Sequence, residues 1–225
     1  MKLTNNDQKS KLNQILTLEF VIALALITVF SLVFIKLTRE VMESETLGLD
    51  IQISNYIYGF RSAGLNNLMN IISYFGEQLV ILFVVCISVF LFIKKRFREI
   101  VVIISTVSLG SLSASLIKIL VDRPRPNLAP LQIETNASFP SIHTTNAFIF
   151  YFLVIYLFSS RIKNQIIRYS VSLMLFLLAY LVAFSRIYLG VHYPSDVLGG
   201  ICVAGICLCF AWVLNYTLKQ KSNLS

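Results

Sequence analysis

Apolar runs of roughly 16 to 23 residues recur along this chain, and a helix needs about 20 such residues to cross a hydrocarbon layer about 30 Å thick. The runs fall at residues 20–37, 71–93, 100–120, 144–159, 169–184 and 197–218. Inside a bilayer every backbone N–H and C=O must find its partner within the protein, so segments of this kind are helices. The sequence therefore predicts an all-α membrane protein with about six transmembrane helices in one bundle. It also predicts one membrane-embedded domain over residues 1–225, with short cytoplasmic tails at about 1–17 and 219–225. Composition agrees: 56% of residues are hydrophobic and 13% charged, where soluble domains carry about a quarter charged.

The first run follows a basic start, as a signal peptide would. Lys36, Arg39 and Glu40 come directly after it, without a small-x-small cleavage site, which favours an uncleaved helix. The connection from residue 39 to 70 carries Leu49, Ile51, Ile53, Ile57 and Phe60 between polar positions. An amphipathic helix lying in the interface is expected there.

The formal charge of +8 does not mark a nucleic-acid partner, because the basic residues are scattered between apolar spans. With the N-terminus inside, twelve of the 19 Lys and Arg lie in cytoplasmic segments and seven outside. The positive-inside rule then puts both termini in the cytoplasm. Cys86, Cys202, Cys207 and Cys209 all lie in apolar runs without metal-binding spacing, and read as small packing residues.

Against that apolar background, three polar groups stand at helix ends on the same, outer side. Lys118-Ile-Leu-Val-Asp-Arg-Pro-Arg125-Pro126 closes the third run; Pro140, Ser141, Ile142 and His143 open the fourth; Ser185, Arg186, His192 and Asp196 lie between the fifth and sixth. Taken singly, each cation reads as an interfacial anchor, and Ser141 and Asp196 as helix caps. Taken together, they place both histidines of the chain, one carboxylate and a group of strong cationic donors on one face. Anchors alone have no reason to recruit both histidines.

That chemistry fits a phosphate ester, which needs cations to offset its charge, a nucleophile, and an acid for the leaving oxygen. Lys118, Arg125 and Arg186 supply charge, and the arginines can grip oxygens in bidentate fashion. Ser141 and the amides from Ile142 onward start a helix, where an anion is favoured. His192 can attack phosphorus to give a phosphohistidine, Asp196 can hold its tautomer, and His143 can protonate the departing oxygen. Two histidines and an aspartate could also bind a metal, but the nearby cations favour an anion. No metal or other cofactor is expected.

Lys118-x6-Arg125-Pro126, then Pro140-Ser141-Ile142-His143, then Ser185-Arg186-x5-His192-x3-Asp196 resembles the tripartite signature of the type 2 phosphatidic acid phosphatase family. The branch it resembles is the bacterial membrane-embedded one that holds undecaprenyl pyrophosphate and phosphatidylglycerophosphate phosphatases. The resemblance extends to the six-span layout and implies the same residue roles, with His192, His143 and Asp196 catalytic and Lys118, Arg125, Ser141, Ile142 and Arg186 on the phosphate. One position departs: the family usually has glycine where this chain has Ile142.

The expected function is hydrolysis of a terminal lipid phosphate at the outer membrane face. Undecaprenyl pyrophosphate, phosphatidylglycerophosphate and phosphatidate all remain open as substrates, since the motifs read phosphate rather than lipid. A non-catalytic lipid-phosphate binder or a transporter is the rival. Transporter sites usually place charge inside the spans, and here the spans are nearly free of it, Glu77 near one end of the second being an exception. Membrane lipids are the expected surroundings, and no obligate protein partner is evident.

Overall fold

The computed structural model describes residues 5–127 and 130–224, with side chains between residues 18 and 219 apart from 128 and 129. Its helices are α1 (Asn5–Met42), α2 (Leu47–Tyr58), α3 (Ala63–Tyr74), α4 (Gln78–Ile93), α5 (Phe97–Val121), α6 (Ile142–Phe158), α7 (Gln165–Tyr188) and α8 (Pro194–Leu224). A 3₁₀ turn, Ser159–Arg161, follows α6, and no strand occurs among the described residues. Six stretches are long and apolar enough to cross a membrane. The protein is thus a multi-pass helical bundle. Because α1 starts at Asn5 and α8 continues to Leu224, most of each expected tail is helix; residues 1–4 and 225 lie outside the described residues.

The spans are longer than their apolar runs, because polar residues occupy their ends. Asn164 caps α7 by accepting from the amides of Ile166 at 2.9 Å and Ile167 at 3.2 Å, satisfying donors that a helix start leaves open. The same helix then runs past the apolar segment to carry Ser185 and Arg186 in its last turns.

The second span, Ala63–Ile93, is broken at Phe75, Gly76 and Glu77, between α3 and α4. A break inside a membrane protein frees carbonyl oxygens that must be satisfied by protein. Tyr151 of α6 donates its hydroxyl to the Phe75 carbonyl at 2.8 Å, and the break presents Glu77 to the site described below.

The connection between the first and second spans holds α2. Its exposed residues mix apolar Leu49, Ile53 and Tyr56 with polar Gln52 and Asn55, while Asp50, Ser54 and Ile57 are buried. The helix thus turns two polar side chains, Asp50 and Ser54, toward the protein interior.

Helix α6 is the centre of the bundle, packed against α5, α7 and α8, with α1 laid on α8. In its most apolar window 61% of residues are buried, against 6% for the first span, so α1 is a lipid-facing outer helix. At the crossing of α6 and α8, a Cβ on Gly200 would stand 2.7 Å from the Ser141 carbonyl oxygen. Glycine there lets the N-terminal ends of the two helices meet. Cys202, Cys207 and Cys209 are buried on α8 as free thiols and Cys86 is exposed on α4, so the α8 cysteines fill packing positions.

Candidate active site

The three groups from the sequence converge at one end of the bundle, around a cavity of about 560 Å³. Lys118 comes from the last turn of α5, His143 and Ile142 from the first turn of α6, Arg186 from the last turn of α7, and His192 from the turn before α8. All of these line the cavity, together with Ser73, Glu77, Glu134 and Asn136. Arg125 reaches the same group through His192, its Nη1 lying 3.3 Å from the imidazole Nε2.

Two sharp reversals bring these residues together. Asp122 ends α5 in the left-handed region with φ 44°, its amide bonded to the Lys118 carbonyl at 2.9 Å. Gly190, with φ 76°, turns the chain between Arg186 and His192, a conformation costly for a residue with a Cβ. The loop from α5 to α6 is held by the Ser138 amide on the Arg123 carbonyl at 2.8 Å and the Leu131 amide on the Leu189 carbonyl at 2.8 Å. Its peptide between Phe139 and Pro140 is cis.

His192 is 1% exposed and has a different kind of neighbour at each ring nitrogen. Nδ1 lies 3.3 Å from Asp196 Oδ2, which as a carboxylate only accepts. Nε2 faces Arg125, which only donates. Both contacts select the tautomer with the proton on Nδ1 and the lone pair on Nε2. Burial, and after it the charges of Arg125, Arg186 and Lys118, hold this imidazole well below the usual histidine value. The ring is therefore neutral, with its basic nitrogen beside a guanidinium.

The cations are held by oxygens of the protein. Arg186 is 1% exposed, donates to Ser73 Oγ and to Gln132 Oε1 at 3.0 Å, and pairs with Glu134. Its Nε is buried without a hydrogen-bond partner among the described residues. Arg125 pairs with the same Glu134 carboxylate at 2.6 Å and contacts Asn136. Lys118 donates to the carbonyls of Ala137 and, at 3.2 Å, Ser138. Glu134 thus spans two guanidinium groups.

On the opposite wall, His143 Nε2 lies 3.1 Å from Glu77 Oε2. Ser141 is placed differently from the rest. It is fully buried behind the cavity wall, its hydroxyl oxygen accepts from Thr144 Oγ1 at 3.0 Å, and its amide donates to the Asp196 carbonyl at 3.0 Å. It caps α6 and ties that helix to α8, while Ile142 supplies the surface beside His143.

A family model described as the PAP2 superfamily matches residues 99–220, more than half of the chain and all three motifs. The chain belongs to the PAP2 superfamily. It is 32% identical over 176 residues to phosphatidylglycerophosphatase B of Bacillus subtilis (strain 168), covering 75% of this chain and 84% of that protein. The crystal structure of a transmembrane PAP2-type phosphatidylglycerolphosphate phosphatase from Bacillus subtilis superposes with TM-score 0.76 at 27% identity, covering 87% of this chain and 96% of the other. Aquifex aeolicus LpxE superposes with TM-score 0.60 at 26% identity, covering 73% and 94%. This PAP2 chain is a membrane-embedded lipid phosphatase.

Several residues of the PAP2 site were not singled out in the sequence. Glu134, Gln132 and Asn136 come from the loop between α5 and α6, Ser73 from the end of α3, and Asp50 from α2. Glu134, Gln132, Asn136 and Asp50 fall in the two long connections and Ser73 inside the second apolar run, where nothing in the sequence marks them. Arg123 was visible as part of the dense basic group at residues 118–125, and its partner Asp50 was not.

Proposed function

We propose that this phosphatase removes the terminal phosphate of phosphatidylglycerophosphate through a phosphohistidine on His192, at the outer face of the membrane. The observation that carries the chemistry is the placement of His192, with Asp196 Oδ2 at Nδ1 and Arg125 Nη1 at Nε2.

The Nε2 lone pair attacks phosphorus, and the bond from phosphorus to the lipid oxygen breaks. The leaving oxygen takes a proton from His143, whose Nε2 lies 3.1 Å from Glu77 Oε2. Water then attacks the phosphohistidine, His143 takes its proton, and the bond from nitrogen to phosphorus breaks. Lys118, Arg125 and Arg186 offset charge on the phosphoryl oxygens throughout.

The substrate is favoured by the likeness to phosphatidylglycerophosphatase B over most of that protein's length. Undecaprenyl pyrophosphate and phosphatidate present the same terminal phosphate and are the comparison substrates. The outward orientation is supported by the excess of Lys and Arg in the segments assigned to the cytoplasm.

Phosphate release by purified protein from the three lipids, in a strong chelator and beside His192→Ala, tests the reading. Release from phosphatidylglycerophosphate by the parent protein alone is expected; activity retained in the variant would exclude His192 as nucleophile. Ile133, 91% exposed at the cavity mouth, gives the orientation test. Ile133→Cys should react with an impermeant maleimide in intact cells.

A further inference from the structure

Beneath His192 lies a layer of buried charge that does not reach the cavity. Arg123 Nη1 donates to Asp196 Oδ1 at 2.6 Å and to Ser195 Oγ at 2.7 Å, while its Nη2 donates to Asp50 Oδ2 at 2.7 Å. Asp50 in turn accepts from the Ser195 amide at 2.9 Å and the Ser195 hydroxyl at 2.5 Å. The guanidinium also lies 4.3 Å from the centre of the Tyr193 ring. Asp196 is 0% exposed, Asp50 3% and Arg123 7%, so water does not hold these charges apart.

The geometry assigns separate work to the two oxygens of Asp196. Oδ2 accepts from the Tyr193 amide at 2.8 Å and faces His192 Nδ1. Oδ1 takes Arg123. The carboxylate is therefore clamped on both sides, and the imidazole plane follows it. Arg123 is clamped in turn by Asp50, which α2 carries in from the far side of the first connection. One guanidinium between two carboxylates leaves a net negative charge next to a ring that becomes cationic once Nε2 carries phosphorus and Nδ1 keeps its proton.

We propose that Arg123 and Asp50 are positioning residues of the reaction, acting through Asp196 to aim and charge-balance His192. On this account α2 belongs to the catalytic apparatus as the element that delivers Asp50. The proposal rests on the phosphatase reading above. Among the described residues, neither lines the cavity or hydrogen-bonds to Lys118, Arg125 or Arg186, so their loss acts on turnover rather than on substrate capture.

The test uses the full chain in detergent with phosphatidylglycerophosphate in mixed micelles, reading kcat, KM and thermal midpoint for Asp50→Asn, Arg123→Lys and the double variant. Both single variants should lower kcat on the order of tenfold to a hundredfold, the range seen when the partner orienting a functional histidine is removed, with KM within about twofold. The double variant should lose little beyond the worse single, because the two act as one unit. Should Arg123→Lys fail to fold, Asp50→Asn, which keeps shape and loses only charge, decides the matter. A lower thermal midpoint with kcat of the folded protein unchanged would make the layer purely structural and overturn the proposal, as would a raised KM at constant kcat. A parent protein silent on all three lipids removes the phosphatase reading itself; an active parent with an unimpaired Asp50→Asn removes this proposal alone.

Discussion

The carboxylate of Glu134 lies 2.6 Å from the guanidinium of Arg125. Its second oxygen pairs with Arg186, so a side chain of the protein occupies the position between the two arginines. On the proposed function, an incoming phosphate displaces it. Glu134→Gln removes the competing charge and should tighten inhibition by inorganic phosphate about tenfold, equivalent to ~1.4 kcal/mol. Phosphate inhibition of turnover, measured for parent and variant, checks this. Weaker inhibition in the variant would mean that Glu134 chiefly holds the arginines in place.

His192 supplies a prediction about pH. Burial and the surrounding cations keep its imidazole well below the usual value, so the attacking nitrogen stays unprotonated as pH falls past about 6.5. Phosphoenzyme formation in rapid-quench experiments should show no acid limb near that pH from this group. Stability behaves oppositely. Below the usual imidazole value the unfolded chain binds a proton at His192 that the folded protein refuses, so stability falls as pH drops. His192→Gln should lessen that fall, read as the difference in denaturation midpoint between about pH 7.5 and pH 5.5.

Ile142 stands at the first position of α6 and lines the cavity beside His143. Ile142→Gly widens that wall at a helix cost of up to about 1 kcal/mol. Turnover of the poorer lipid substrates should rise relative to the best one, as measured by kcat/KM across the three lipids. A collapse on all three would show that the isoleucine is fitted to its own substrate.

Gly190 turns the chain with φ 76°, and a Cβ there would stand 2.8 Å from Arg61 Nη2 and 3.2 Å from the Pro130 Cα. Arg61 is not free to yield, since its Nη2 also donates to the Tyr188 carbonyl at 2.7 Å. Gly190→Ala should cost about 1–3 kcal/mol in stability. It should also lower kcat by shifting the turn that carries His192. Thermal unfolding and turnover of the same preparation check both parts.

Six spans could be read from the chain because transfer of apolar side chains into hydrocarbon is a local property of about 20 consecutive residues. Lys118, Arg125, His143, Arg186, His192 and Asp196 stood out for a related reason: polar residues at the ends of apolar runs, with fixed spacing inside each group, need no knowledge of packing to be noticed. Even the break in the second span had a trace in Glu77, the charge that the apolar reading left unexplained.

Glu134, Asp50 and the role of Arg123 had no such trace. A carboxylate in a long connection is locally indistinguishable from one that simply meets water. Whether Asp50 faces solvent or lies 2.7 Å from Arg123 depends on how α2 folds back over the start of α8. Likewise, Ser141 reads from sequence as a phosphate donor, whereas in the bundle its amide joins α6 to the Asp196 carbonyl. Hydrophobic spacing and motif order determined the membrane fold and the chemical class. The partners of each buried charge were decided only by tertiary packing, because a hydrogen bond in a low-dielectric interior is set by the few ångströms between side chains far apart in the chain.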